Sequence, residues 1–253
     1  TITIAFEEFR GTGNDESIVA ADIARHYGTK HTQRIITERE FRNDLPIILD
    51  AMDQPTIDGI NTWFVSKAAR ESGLKVAISG LGGDELFGGY GRYRRALRPG
   101  WLGGRAAEPQ VTADTSGAAL AAWRAAAAPP PGLSALQQAQ WADIATWLPN
   151  DLLLKLDRCL MAHGLEGRTP FLDPEVAAFA FHLPDALKVR GRFGKVLLRK
   201  WLEQHCPAAS PWARKQGFTV PVATWIAPRA GDLARGLAGI EAVRNVCGGD
   251  DLG

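Results

Sequence analysis

Residues 1–6, TITIAF, alternate β-branched and apolar positions as a strand does, and a turn rich in Gly, Asn and Asp separates them from residues 16–27. There the apolar positions recur at helical spacing until Gly28. Residues 33–36 predict a second short strand, 38–52 a helix, and 61–72 a third helix closed by Gly73. Residues 75–79, KVAIS, predict a strand of the buried kind. Strands alternating with helices of this length argue for a parallel sheet with crossover helices, the α/β class, which places ligands beyond the carboxyl ends of its strands. Ser79 stands at one such end.

The pattern changes near residue 99. Residues 99–133 are dominated by Gly, Ala and Pro, including Pro129, Pro130 and Pro131, and predict a mobile connection with one Ala-rich helix at 118–127. Beyond it every periodic segment is helical: 135–147, 151–165, 174–182 and 195–205, with a tail at 248–253 expected to fray. The chain thus divides into an α/β part (1–98), a connection (99–133) and a mostly helical part (134–253).

Composition narrows the function. Lys and Arg total 29 against 28 acidic residues, a net charge of +1, so no overall field draws the chain to nucleic acid or to a membrane. Cys159, Cys206 and Cys247 are widely spaced and odd in number, which fits neither a disulfide framework nor a zinc site but a reducing cytoplasm. Absence of a membrane-length apolar run or a signal-peptide plan agrees with a cytoplasmic protein. His26, His31, His163, His182 and His205 never fall in a metal-binding spacing and receive no catalytic role.

Residues 79–90, SGLGGDELFGGY, carry the chemistry. Five glycines follow the buried strand, leaving a backbone with few side chains that a large ligand can approach. Asp84 and Glu85 lie within that loop, and carboxylates beside a phosphate-binding turn suit Mg²⁺, which takes one or two of them plus phosphate oxygens. Taken alone, the same loop reads equally well as a tight strand-to-helix turn with an acidic cap.

The twelve-residue loop strongly resembles the SG-x-G-(S/G)-DE-x-FGGY loop of asparagine synthetases and the related β-lactam-forming synthetases. Further matches follow in order: 157–173 (DRCLMAHGLEGRTPFLD), 194–199 (GKVLLR) and 214–218 (RKQGF), so the resemblance covers nearly the whole chain. It implies an adenine nucleotide α-hydrolase-like sheet followed by a helical half that completes a synthetase site. It also implies ATP and Mg²⁺ as cofactors: a carboxylate, aspartate in the family, attacks the α-phosphate, pyrophosphate leaves, and ammonia from a glutaminase domain displaces AMP. On this basis Lys195, Lys215 and Asp84 are the expected catalytic residues, with Asp84 also holding magnesium pyrophosphate. Ser79, Gly80, Gly82, Gly83, Glu85, Asp157 and the backbone near Ala5 and Phe6 are the expected nucleotide contacts. Glu166 and Arg168 read as a buried pair bracing the PFLD turn, and Trp201, Trp212 and Trp225 as packing.

The sequence departs from the family in three ways. The pyrophosphate loop S-G-G-x-D-S does not occur, and no cysteine is placed for a glutaminase, so the chain is expected to be part of a longer protein and by itself at best weakly active. Apolar surface left exposed by the missing first strand could drive association, a homodimer included. Leu81 stands where asparagine synthetases commonly carry a glutamate credited with accepting the proton of the attacking ammonia, and leucine cannot be a base. Asp58 stands in a loop where those enzymes place an arginine toward the substrate, so Arg92 or Arg94 would have to supply the positive charge. An acceptor other than aspartate, a cyclase with an internal nucleophile, and a binding module that keeps the fold without turnover are the alternatives.

Overall fold

The computed structural model of the chain describes residues 1–13, 15–52, 59–99, 101, 117–214, 220–231 and 235. Asp58, Lys215, residues 102–116 of the expected connection and the 248–253 tail lie outside these.

β1 (Ile2–Phe6) leads through α1 (Ser17–His26) to β2 (Thr32–Ile36), and the two strands pair in parallel, Ile2 opposite Thr32 and Phe6 opposite Ile36. α2 (Glu38–Met52) and α3 (Gly59–Glu71) follow, and β3 (Val76–Ile78) closes this part. The α2 periodicity buries Phe41, Ile48 and Met52, which meet Ile4, Phe6 and Ile36 from the strands and Trp63 and Phe64 from α3 in the main core. This is the expected α/β arrangement.

Short α4 (Gly83–Phe87) and α5 (Gly91–Ala96) come directly after β3, and α6 (Gly117–Ala127) is the Ala-rich helix. From Ser134 the sequence predicts two helices, but the backbone runs unbroken through α7 (Ala135–Ala142), a π-helical stretch (Asp143–Leu153) and α8 (Leu154–Ala162). Pro149 lies inside the stretch. It offers no N–H, and the wider π turn accommodates the missing donor where an α-helix would break. Thr146 and Asn150 side chains donate to the carbonyls of Ala142 and Thr146, at 2.6 and 2.8 Å.

β4 (Glu166–Arg168) then pairs in parallel with β3, so the described strands form two two-stranded sheets. Ile2 of β1 and Ala77 of β3 share one apolar cluster with Ala69, Leu160 and Leu165, which ties the two pairs together. The predicted burial of β3 is not realised: Val76 is 45% and Ile78 79% exposed. β3 hydrogen-bonds β4 on one edge, and no strand meets its other edge among the described residues.

α9 (Pro174–His182), capped by the Asp173 carboxylate, α10 (Asp185–Lys188), α11 (Val196–His205) and α12 (Val222–Ile226) complete the helical half. Trp225 of α12 is buried against Phe6 and Phe41 and donates its indole N–H to Glu8, so the far end of the chain packs on the first strand. Trp201, expected to pack, is 56% exposed because α11 turns it outward beside His205. Among the described residues no helix is long and apolar enough to cross a membrane.

Candidate active site

The Gly-rich loop leaves β3 at its carboxyl end, as expected. The Ser79 N–H donates to Arg168 of β4 at 2.8 Å, and the Ser79 hydroxyl accepts from the Leu81 N–H at 3.3 Å, turning the chain sharply. A Cβ on Gly82 or Gly83 would meet Leu172 or Phe171, so these two glycines seat the loop on the Pro170–Leu172 turn, whereas a Cβ on Gly80 would meet nothing within 4 Å. Gly80 is the open backbone of the loop.

Asp84 and Glu85 are adjacent in sequence but have different surroundings. Asp84 projects to Lys195, with Oδ1 2.9 Å from Nζ and roughly a quarter of each side chain exposed (26% and 29%). Glu85 is buried, 1% exposed, and accepts the Tyr90 hydroxyl, so it is a bracing group and not an open ligand. Burial, then the Glu85 charge, pushes the Tyr90 pKa far up, so the phenol stays a donor.

Two glycines make the Asp84 to Lys195 approach possible. A Cβ on Gly89 would lie 1.7 Å from Asp84 Oδ1, and one on Gly194 would lie 2.1 Å from the Gly88 carbonyl oxygen. With no side chain in the way, the 88–89 turn and the start of α11 touch backbone to backbone, and the Lys195 N–H donates to Phe87 O at 3.0 Å. Lys195 itself has φ 55°, a left-handed conformation that costs a non-glycine residue of order 1–3 kcal/mol and concentrates at functional sites.

Groups absent from the sequence reading hold the loop from behind. Buried Gln140 donates to the carbonyls of Glu85 and Leu86, at 2.6 and 2.8 Å, satisfying the free end of α4. Its own oxygen accepts from the fully buried Lys188 ammonium at 2.9 Å, and that ammonium also donates to Phe181 O at 2.7 Å. Burial lowers the Lys188 pKa to about 8. A polar residue on the core face of a helix was the available signal for Gln140; its target lies 55 residues away and has no local trace.

Arg92 and Arg94, the two candidates for a substrate cation, have separate fates. Arg92 pairs with Asp143 at 2.8 Å and lies over the Tyr90 ring, while the Tyr93 hydroxyl also donates to Asp143. Burial raises the Asp143 pKa, opposed by the bonds from Tyr93 and Arg92. Arg94 instead lines a cavity of about 950 Å³ whose lining also includes Gly89 and Gly194, the neighbours of Asp84 and Lys195.

Other expected site residues are placed elsewhere. The Phe6 ring is buried at the carboxyl end of β1 against Phe9 and Trp225, leaving only its backbone to a ligand. Asp157 is exposed on α8 and lines a different cavity of about 690 Å³ with Lys75, Glu166 and Thr169. Glu166 and Arg168 do pair, at 2.9 Å, but are 58% and 63% exposed, so the expected buried brace is a surface pair of strand β4. Phe171 and Leu172 perform the bracing instead.

As for a metal, no group of three or more His, Cys, Asp or Glu side chains is placed to hold an ion among the described residues. A partly exposed carboxylate, Asp84, paired with a lysine fits a Mg²⁺ carried mainly by phosphate oxygens rather than by a protein cage.

Fold and site define a class: an α/β domain whose Gly-rich loop presents a carboxylate–lysine pair at a strand's end, completed by a helical half. The chain belongs to the asparagine synthase family, whose model matches residues 1–242. It is 33% identical to a putative glutamine-hydrolysing asparagine synthetase of Mycobacterium tuberculosis over 92% of this chain and 42% of that protein. Similarity to glutamine-hydrolysing asparagine synthetase 1 of Bacillus subtilis is 29% identity over 94% of this chain and 45% of the relative. For asparagine synthetase B of Escherichia coli the identity is 25%, over 85% and 34%. The chain therefore spans less than half the length of these relatives.

Proposed function

We propose that this chain is the carboxylate-activating part of an ATP-dependent, amide-forming ligase. The observation that supports it most directly is the Asp84–Lys195 pair, held at the end of β3 by two glycines that leave no room for side chains. In this reading ATP lies along the open backbone of Ser79 and Gly80, and Asp84 would hold a Mg²⁺ that neutralises phosphate charge. A carboxylate oxygen of the acceptor attacks the α-phosphorus, the bond to the β-phosphate bridge breaks, and pyrophosphate leaves with its new charge. The Lys195 ammonium, already in place, stabilises that charge without reorganising. Ammonia then attacks the acyl carbon, the carbon–oxygen bond to AMP breaks, and the amide forms once the nitrogen gives up a proton. Leu81 cannot take that proton, so solvent or the departing phosphate accepts it.

The acceptor is the finer part of the proposal. Aspartate is the substrate named for the relatives only through their product, and Leu81 together with the arginine-lined cavity favours another acid here. Pyrophosphate–ATP exchange with the purified full-length protein that carries this chain tests both levels. Exchange dependent on a carboxylate supports the ligase; exchange with aspartate alone would restrict it to asparagine formation; no exchange with any acid would refute it.

A further inference from the structure

The cavity beside the Asp84–Lys195 pair has a charge that the proposed reaction at that pair does not need. Arg94, Arg98, Arg192, Arg199 and Arg214 all line it, no aspartate or glutamate does, and none of the five is in an ion pair among the described residues. Five guanidinium groups around one cavity repel one another unless an anion lies between them.

The site is also built. Arg199 donates to the carbonyls of Gly194, at 2.8 Å, Ala213, at 3.1 Å, and Pro211, and Arg94 donates to Arg192 O at 2.9 Å, so their guanidinium planes are fixed while the Arg199 Nη2 and the remaining Arg94 N–H groups face no such partner among the described residues. The 190–193 turn, closed by paired bonds between Arg190 and Phe193, sets the Phe193 ring under the guanidinium groups of both Arg192 and Arg199, 4.9 and 5.5 Å from its centre. Trp212 packs edge-on to that ring. Burial lowers the Arg199 pKa, nearby Asp84 opposes this and Arg94 adds to it, so like charge already bears on the group. Planar forks held in this way match carboxylate or phosphate oxygens two at a time.

We propose that this cavity binds the acceptor's anionic remainder: an acid carrying further carboxylate or phosphate groups besides the one activated, and larger than a four-carbon amino diacid. At about 950 Å³ the space is at the upper end of small-molecule sites. Its lining includes Gly89, which abuts the Asp84 carboxylate, and Gly194, the neighbour of Lys195, so an acceptor held there has its reacting carboxylate within reach of that pair; the lining includes neither Ser79 nor Gly80, the residues assigned to the nucleotide. The proposal rests on the ligase reading above.

Calorimetric titration at about 0.15 M salt, where distant surface charges are screened, tests it with two probes, propane-1,2,3-tricarboxylate and α,β-methylene-ATP. The variants are the double substitution Arg98→Gln, Arg192→Gln, both exposed positions that should not disturb folding, and Arg95→Gln, an exposed arginine of α5 outside the cavity. The expected result is that the tricarboxylate binds wild type and the Arg95 variant alike and the double variant at least tenfold more weakly, with nucleotide affinity changed less than threefold throughout. Equal tricarboxylate binding by all three proteins, or none by wild type, overturns the proposal. An equal loss of nucleotide affinity in the double variant overturns it too, assigning the arginines to ATP's phosphates. Wild type that binds the tricarboxylate but not the nucleotide would count against the ligase reading itself.

Discussion

Lys195 joins a charge to a strained backbone, and substitution can separate the two. Its φ of 55° and ψ of 36° lie where an L side chain costs roughly 1–2 kcal/mol, and its ion pair with Asp84 is accessible enough to contribute between zero and about 1 kcal/mol. Lys195→Gly releases the strain, gives back about 0.4–1 kcal/mol through a freer unfolded chain, and loses the ion pair. These contributions nearly cancel, so stability should stay within about 1 kcal/mol of wild type, or roughly 2–4 °C in Tm for a chain of this size. Lys195→Ala keeps the strain and loses the ion pair, so it should melt at or below the glycine variant. Activity should not follow this order. Removing a preorganised charge from the departing pyrophosphate costs about 10²–10³ in rate, so pyrophosphate–ATP exchange should collapse in both variants. Thermal unfolding and exchange on the same preparations give the comparison. A glycine variant that melts more than about 5 °C below the alanine variant, or that keeps more than about a tenth of wild-type exchange, would refute the assignment.

Three further outcomes follow from the geometry. Gly89→Ala brings a Cβ to 1.7 Å from Asp84 Oδ1 and should cost about 1–3 kcal/mol by denaturant unfolding and abolish exchange, whereas Gly80→Ala, with nothing within 4 Å, should unfold like wild type and lose nucleotide affinity by calorimetry. Asp143→Ala strips Arg92 and the buried Tyr93 hydroxyl of their shared acceptor and should destabilise by about 3–5 kcal/mol in urea melts, as breaking a buried ion pair does. Lys188, whose folded pKa is lowered to about 8 from 10.5, binds its proton less readily in the folded than in the unfolded chain, so its burial is most costly below pH 8. The stability of wild type relative to Lys188→Met should therefore rise between pH 8 and 10.5, by up to about 1.4 kcal/mol per pH unit, and a flat difference in melts across that range would contradict the lowering of its pKa by burial.

What the sequence revealed and what it concealed divide along physical lines. Helices such as α2 and α9 and the parallel pairing of β1 with β2 follow from local periodicity, and the 79–90 loop announces itself through its glycines. The sequence could not show that Glu85 faces inward to Tyr90 while its neighbour Asp84 faces Lys195, because both residues have the same local chemistry and differ only in what long-range packing brings to them. Glu166 and Arg168 were misplaced for the same reason: alternate residues of a two-stranded edge project to one face, and that face is solvent. The π-helical stretch was hidden because Pro149 reads as a helix end unless the wider turn is known in advance.

The close approach of the 88–89 turn to Gly194 links these features. It places the amide of Lys195 on Phe87 O and the backbone of Gly89 under the Asp84 carboxylate, and it forms part of the wall of the arginine cavity. A shift of that contact would move the carboxylate–lysine pair and the cavity wall together, so the proposed activation and acceptor binding share one mechanical origin. The arginines that would recognise the acceptor nevertheless come from α5 and the residues just after it, from α11 and from the segments flanking α11, and three of them, Arg98, Arg192 and Arg214, are exposed. Exposed positions on a fixed frame can change without disturbing the frame. Acceptor preference can therefore diverge among proteins that keep the Asp84–Lys195 geometry, which is why the family establishes the kind of site more firmly than the acid it takes.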